Sequence, residues 1–282
     1  FRPFKALNSA LYRSHGSLTG RNTFVPLQED ARIAIEIWRA SIVLLGLDRS
    51  RFSKTMISFL PQAPTVTVQF DASLKGIGFL LTNDVSGGLL GGGRASFPFD
   101  LEGDSSHQNT CEFIAVVMAL VAVVRSGRTG ISIRLIGDST VALKWSKKES
   151  WSGELSMKAA VVFLLFSVAF DIHVEEAEHI LGVDNEACDD MSRDKSPEFV
   201  GVLINRIIEV EGHGVSQSLL RLCDPRALVT SGDSFVSLWG EVQRCIKEIR
   251  SELDTSEGRV LRSDAGVLSE LAAAPFSPSL EL

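Results

Sequence analysis

Two apolar segments constrain the fold of this chain more than any other feature. Phe113–Val124 and Ala159–Phe170 are each 12 residues long and contain no charged side chain. A helix that is apolar on nearly all sides must be buried, and packing against a sheet is one way to bury it. Both segments are shorter than the roughly 18 to 20 residues that cross a bilayer. They predict buried core helices, no membrane span and no membrane partner.

The segments around these helices have the pattern of strands. Val66–Phe70 alternates and is β-branched, and glycine-rich strands are expected after it at Gly76–Thr82 and Leu89–Phe97. Ile131–Ile136 and Ile172–Ala177 are the expected fourth and fifth strands. With helices at Asn109–Arg125, Thr140–Lys148 and Glu154–Phe170, the predicted order is β-β-β-α-β-α-α-β. This order predicts an α/β fold, a mixed five-stranded sheet with helices on its faces.

The same patterns divide the chain. We expect a helical segment at 1–62, the α/β domain at 63–195, a helical extension at 196–250 and a flexible tail at 251–282. Two parts of the extension have helical patterns, Phe199–Val210 and Phe235–Ile249.

Composition is that of a folded protein, with 45% hydrophobic and 22% charged residues, which excludes a disordered, collagen-like or coiled-coil chain. The net charge is −7, and the basic first 60 residues precede an acidic middle. An acidic middle fits carboxylates that converge on divalent cations, and it also fits a plain solvated surface.

The cysteines indicate a reducing compartment. Cys111, Cys188, Cys223 and Cys245 are far apart and form no Cys-x-x-Cys pair. With no secretory pattern after Phe1, we expect reduced thiols, an intracellular location and a chain that is part of a longer product. The sequence does not distinguish cytoplasm from nucleus.

Four acids stand where predicted strands end or helices begin: Asp71, Glu112, Asp138 and Asp189. An ionised carboxylate beside an apolar core costs several kcal/mol unless it is compensated. Any one of these acids alone is better explained as a turn or helix-cap residue. Together they predict an oxygen-ligand site for Mg²⁺ or Mn²⁺, where two ions about 4 Å apart can act on a phosphodiester.

The motifs around these acids resemble a ribonuclease H domain of reverse-transcribing elements. The matching segments are Phe70–Gly78, Asn109–Glu112, Leu135–Ser139 and His179–Arg193, within Thr65–Arg193. The resemblance implies a ribonuclease H-like fold and metal-dependent hydrolysis of the RNA strand of RNA/DNA hybrids. It also implies two Mg²⁺ ions, with Mn²⁺ as a substitute.

The resemblance assigns roles by position. Asp71, Glu112, Asp138 and Asp189 match the metal-binding acids, and His179 matches the catalytic-loop histidine, expected just past the last strand. Residues in the matching segments are expected to contact the hybrid: Ser73, Asn109, Ser139 and Asn185.

Two positions depart from the family pattern. Cys188 stands where a small residue is common, and Asp190 adds a second acid directly after Asp189. Neighbouring helical side chains point about 100° apart, so Asp190 is either a surface residue or the ligand in place of Asp189.

A basic helix face follows Asp138. Lys144, Lys147 and Lys148 are spaced i, i+3 and i+4, which suits a helix that tracks a phosphate backbone and equally suits a solvated surface. Further upstream, Phe1–Phe4, Leu11–Arg13 and the segment around Trp38 resemble the thumb or connection region of DIRS-type retroelements. That likeness predicts a polymerase domain of the same polyprotein as a partner.

Two other functions remain open at this stage. One is a nuclease-inactive ribonuclease H-like module that binds nucleic acid or serves a structural role. The other is a nuclease or transposase of the wider superfamily, which would have the order Asp, Asp, Glu, whereas Glu112 is second here.

Overall fold

The computed structural model describes residues 62–101, 103–148, 155–193, 207–209 and 214–255, with helical residues at 32, 35–37, 39–40 and 42–43. The predicted thumb or connection residues Phe1–Arg13 and Trp38 lie outside the described residues, as does the tail from 256 onwards.

A mixed sheet forms the centre of the fold. Its strand order is β5-β4-β1-β2-β3-β6. The first three strands form an antiparallel meander, β4 and β5 continue from β1 in parallel, and β6 is parallel to β3. The strands are β1 (Val66–Ala72), β2 (Gly76–Asn83), β3 (Leu89–Ser96), β4 (Ile131–Gly137), β5 (Ile172–His179) and β6 (Ile207–Glu209).

The helices are α1 (Gln108–Arg125), α2 (Thr140–Lys148), α3 (Met157–Phe170), α4 (Glu186–Ser192), α5 (Gly214–Leu222) and α6 (Gly232–Asp254). The first three follow the predicted order, and α4 comes after β5, where that order had ended. The predicted mixed sheet with helices on its faces is confirmed, and β6 adds a sixth strand to the five that were predicted.

The C-terminal extension differs from its prediction in two places. Residues 207–209, inside the segment expected to be helical, instead form β6 and pair with Gly92–Arg94 of β3. Backbone hydrogen bonds to the edge of the sheet outweigh a weak local helix pattern there. Helix α6 runs to Asp254, so the expected tail does not begin at 251.

Helix α1 is the core helix. All its residues from Thr110 to Val124 are buried, and it packs against β1, β2, α2 and α3. Ser105–Arg125 is long and apolar enough to pass for a membrane span, but 89% of its most apolar window is buried inside the protein. The surrounding sheet and helices therefore account for its apolar composition.

Helix α4 packs against β1, β2 and β3. Gly78 permits this approach, because a Cβ atom there would lie 2.4 Å from the carbonyl oxygen of Cys188. Gly78 pairs with Asp71 across the meander. The close contact therefore brings α4 directly to the end of β1.

Candidate metal centre

Parallel pairing brings two of the predicted acids together. Asp71 is the penultimate residue of β1, and Asp138 directly follows the neighbouring β4. Glu112 reaches them from the second turn of α1. One carboxylate oxygen from each of the three lies within 4.8 Å of the others. The structure thus assembles three of the four acids that the sequence singled out.

Burial sets the electrostatics of this cluster. Asp71 is 4% exposed and Glu112 is 5% exposed, whereas Asp138 is the most exposed of the three. Burial, with the charges of Asp138 and Asp189, raises the pKa of Asp71 to about 7 against the opposing hydrogen bond from Ser192. Burial and the charge of Asp71 raise the pKa of Glu112 to about 9. A positive charge bound next to these carboxyl groups would therefore stabilise their ionised forms.

The donor set fits a divalent cation. Its ligands are carboxylate oxygens, which hard cations such as Mg²⁺ and Mn²⁺ prefer. The Oε2 atom of Glu112 is buried and has no hydrogen-bond partner among the described residues. A buried oxygen in that state costs free energy that a bound cation would recover.

Helix α4 holds the Asp71 carboxylate. The Ser192 hydroxyl donates to Asp71 Oδ2 at 2.8 Å. The Asn185 amide donates to the Phe70 carbonyl at 2.9 Å and to Asp71 Oδ1 at 3.5 Å, and it accepts from Gln69 at 2.9 Å. Asn185 is completely buried. It therefore ties α4 to β1 and is not at the surface where contact with nucleic acid was expected.

Asp189 lies outside the group of three acids. Its Oδ1 accepts a hydrogen bond from Nε of Arg193 at 2.7 Å, and the Nη2 atom of the same guanidinium lies 2.7 Å from that oxygen in an ion pair. Arg193 offsets its charge, although Asp189 still contributes to the raised pKa of Asp71. Its assignment as a metal ligand stays a prediction.

His179 is the last residue of β5, because pairing with Gly137 extends the strand beyond its expected end at Ala177. The histidine is therefore not in the loop after the strand. Its exposed ring has Nε2 3.1 Å from the backbone carbonyl oxygen of Asp138, so a proton on Nε2 is donated there. This contact keeps the ring next to the acidic cluster.

The other expected hybrid contacts fall into two groups. Ser73 and Ser139 are occupied locally: Ser73 donates to the Ser192 carbonyl at 2.7 Å, and Ser139 accepts from the Ala142 amide at 3.3 Å. Asn109, Lys144 and Lys147 are exposed. Lys148 ends α2, and its side chain lies outside the described residues.

Sequence reasoning missed Ser192 and Gln108. Ser192 lies inside the last family motif, three residues after Asp189. Gln108 precedes Glu112 by four residues, and side chains at this spacing on a helix are neighbours. The spacing of four residues could therefore have predicted a contact between Gln108 and Glu112.

We expect Glu112→Gln to weaken the pH dependence of stability in the metal-free protein. Folding raises the pKa of Glu112 from 4.5 to about 9, so the native state holds a proton that the unfolded state releases. The stability of the wild type then falls as pH rises from about 4.5 to about 9. A neutral glutamine removes this contribution.

Thermal unfolding in EDTA at pH 6 and pH 9 measures the effect. Glu248→Gln is the matched control, because Glu248 is an exposed partner of Arg244 on α6. Glu248→Gln should show the same change in stability between the two pH values as the wild type, because surface ion pairs contribute little to stability. If Glu112→Gln loses as much stability as the wild type between the two pH values, the raised pKa is wrong.

No model of a known protein family matches the chain, and no curated protein matches it. Among solved structures, a ribonuclease H1 from the halophilic archaeon Halobacterium salinarum is similar at 21% identity and a TM-score of 0.38. That match covers 46% of this chain and 97% of that one. The N-terminal ribonuclease H domain of a Mycobacterium tuberculosis protein is 15% identical, with a TM-score of 0.37, covering 47% of this chain and 93% of that one.

A ribonuclease H1 isolated from compost, solved in complex with an RNA/DNA hybrid, is 16% identical with a TM-score of 0.37. This match covers 48% of our chain and 99% of the compost protein. The element order and strand directions described above are those of the ribonuclease H-like fold class that the sequence predicts.

Proposed function

We propose that this chain is a metal-dependent endonuclease that hydrolyses the RNA strand of RNA/DNA hybrids. The observation that carries the proposal is that Glu112 of α1 converges within 4.8 Å with Asp71 and Asp138, which lie at the ends of two parallel strands. Two of these carboxyl groups, those of Asp71 and Glu112, are buried. Burying carboxylates side by side costs free energy, and a purely structural role would not recover it. The family motifs around all three acids support the same function.

Asp71, Glu112, Asp138 and Asp189 are the residues that would hold two Mg²⁺ ions, or Mn²⁺ in their place. The chemistry that bound ions would supply there is activation of a water and stabilisation of charge on the leaving 3′ oxygen. Before binding, Asp71 and Glu112 must lose the protons that their raised pKa values favour. Ser192 at the end of α4 orients Asp71, and Arg193, the next residue, orients Asp189.

His179 is placed to handle a proton next to the scissile phosphate. Its ring is exposed and anchored to the backbone of Asp138, beside the acids and not among them. A histidine in that place suits proton transfer or product departure.

The exposed lysines of α2 suit the hybrid backbone. Helix α2 begins two residues after Asp138, and Lys144 and Lys147 both reach solvent from it. Lysines neutralise phosphates without reading sequence. Recognition of the hybrid would come from 2′-hydroxyl contacts and groove shape, to which the exposed Asn109 contributes at the start of α1.

The proposed function includes a biological context, a reverse-transcribing element. The motifs of Thr65–Arg193 and the likeness of the first residues to a thumb or connection region support a reverse-transcriptase polyprotein. A polymerase domain would then be a partner in the same product, acting inside the cell. A longer gene product that contains a polymerase motif upstream of Phe1 is the corresponding observation to seek.

Cleavage assays with and without Mg²⁺ test the function. End-labelled RNA/DNA hybrid, duplex DNA, duplex RNA and single-stranded RNA are incubated with the protein in Mg²⁺ or EDTA. We expect the RNA strand of the hybrid to be cleaved in Mg²⁺ and not in EDTA, and the other three substrates to stay intact. Binding of the hybrid without cleavage favours the inactive module, and cleavage of DNA favours the nuclease or transposase alternative.

Paired substitutions test the fourth acid. We expect Asp189→Ala to reduce hybrid cleavage much more than Asp190→Ala, because Asp189 already acts electrostatically on Asp71. Rates at a fixed Mg²⁺ concentration give the comparison, with each variant serving as the other's control. Equal losses would contradict a unique role for Asp189, and the reverse order would move the ligand to Asp190.

A further inference from the structure

One glutamine joins Glu112 to the backbone at the end of β1. Gln108 is the first residue of α1, and its Nε2 atom lies 2.6 Å from the carbonyl oxygen of Ala72. The same nitrogen lies 2.9 Å from Oε1 of Glu112. An amide nitrogen carries two hydrogens, so it can donate to both acceptors at once.

These two bonds fix the position of Glu112 relative to Asp71. Ala72 is the residue after Asp71, so the first bond attaches the start of α1 to the end of β1. The second bond occupies Oε1 of Glu112. The other oxygen, Oε2, is buried and has no partner among the described residues. Gln108 therefore selects which oxygen of Glu112 stays open.

We propose that Gln108 is a positioning residue of the metal centre, which orients Glu112 so that Oε2 is presented to a divalent cation. The inference rests on the proposed function, since it assumes that the three acids bind metal. Groups that hydrogen-bond to metal ligands typically contribute 10–100-fold to metal affinity or activity.

The chemistry of an amide is required at this position. Methionine has a similar length but cannot donate to either oxygen. Asparagine keeps the amide on a side chain one methylene shorter, so it cannot reach both acceptors as glutamine does. The two substitutions therefore separate loss of the donors from loss of side-chain volume.

Calorimetric Mn²⁺ titration of the full chain tests the proposal. We expect Gln108→Met to weaken Mn²⁺ binding by roughly 10–100-fold and Gln108→Asn to give a smaller loss. Gln243→Met is the matched control, because Gln243 lies on α6, which packs against α3 and α5. The control should bind Mn²⁺ as the wild type does. Circular dichroism verifies the fold of each variant, and Gln108→Asn decides the result if Gln108→Met does not fold.

Cleavage kinetics give a second readout. A positioning role predicts that Gln108→Met needs more Mg²⁺ for half-maximal activity but keeps its KM for the hybrid at saturating Mg²⁺. Unchanged Mn²⁺ affinity would overturn the proposal, and so would a raised KM for the hybrid with normal affinity, which would make Gln108 a substrate contact. Failure of the proposed function is distinct, because the wild type itself would then not bind Mn²⁺ or would not cleave the hybrid.

Discussion

Asp71→Asn and Asp138→Asn are each expected to abolish Mg²⁺-dependent cleavage of an RNA/DNA hybrid while leaving the fold intact. Asparagine has nearly the shape of aspartate but carries no charge, and the cluster needs charge to hold a divalent cation. The loss should exceed the roughly 10–100-fold that follows removal of a residue that only supports a ligand. Cleavage rates across a range of Mg²⁺ concentrations measure it.

The metal-free stability of Asp71→Asn separates loss of function from loss of fold. Asp71 is buried next to other acids, which raises its pKa to about 7. A neutral side chain relieves this repulsion and still accepts the hydrogen bond from Ser192. We therefore expect its melting temperature in EDTA at pH 8 to equal or exceed that of the wild type.

Asp171→Asn is the control for both measurements. Asp171 has φ of 52° at the end of α3, a conformation that asparagine also tolerates. It precedes β5, at the opposite end of that strand from His179. Its substitution should change neither activity nor metal dependence. Near wild-type cleavage by Asp71→Asn or Asp138→Asn in Mg²⁺ would show that the metal assignment is wrong.

The location of the main acids followed from local sequence patterns. Asp71 and Asp138 each come at or just past the end of an apolar strand, and parallel neighbours place such ends together. Glu112 could be predicted because an ionised side chain near the start of an apolar helix costs free energy unless a partner compensates it. Each of these acids is recognised from the few residues around it, so the periodicity of the adjacent strand or helix was enough to locate all three.

Roles that depend on distant contacts could not be predicted in the same way. Asn185 bonds to the carbonyl of Phe70, 115 residues earlier, and β6 forms only because the edge of β3 is available. The ion pair between Asp189 and Arg193 is local, but α4, at whose end it lies, packs closely on the sheet where Gly78 leaves space. Tertiary packing decided each of these outcomes.

His179→Ala is expected to lower single-turnover cleavage by about 10²-fold while metal affinity stays nearly unchanged. The ring is bonded to the backbone carbonyl of Asp138 and not to its carboxylate, so its removal takes away no metal ligand. His173→Ala is the matched control, because His173 lies on the same strand and pairs with Asp171 away from the cluster. It should cleave at the wild-type rate.

The Mg²⁺ dependence of His179→Ala decides between two roles for the histidine. If His179 moves a proton, the variant reaches its lower maximal rate at the same Mg²⁺ concentration as the wild type, since the acids are intact. If the histidine instead supports the ions through Asp138, added Mg²⁺ restores the rate. Recovery at high Mg²⁺ would therefore refute the proton-transfer role, whereas a persistent loss with normal Mn²⁺ binding requires a group that acts on the substrate.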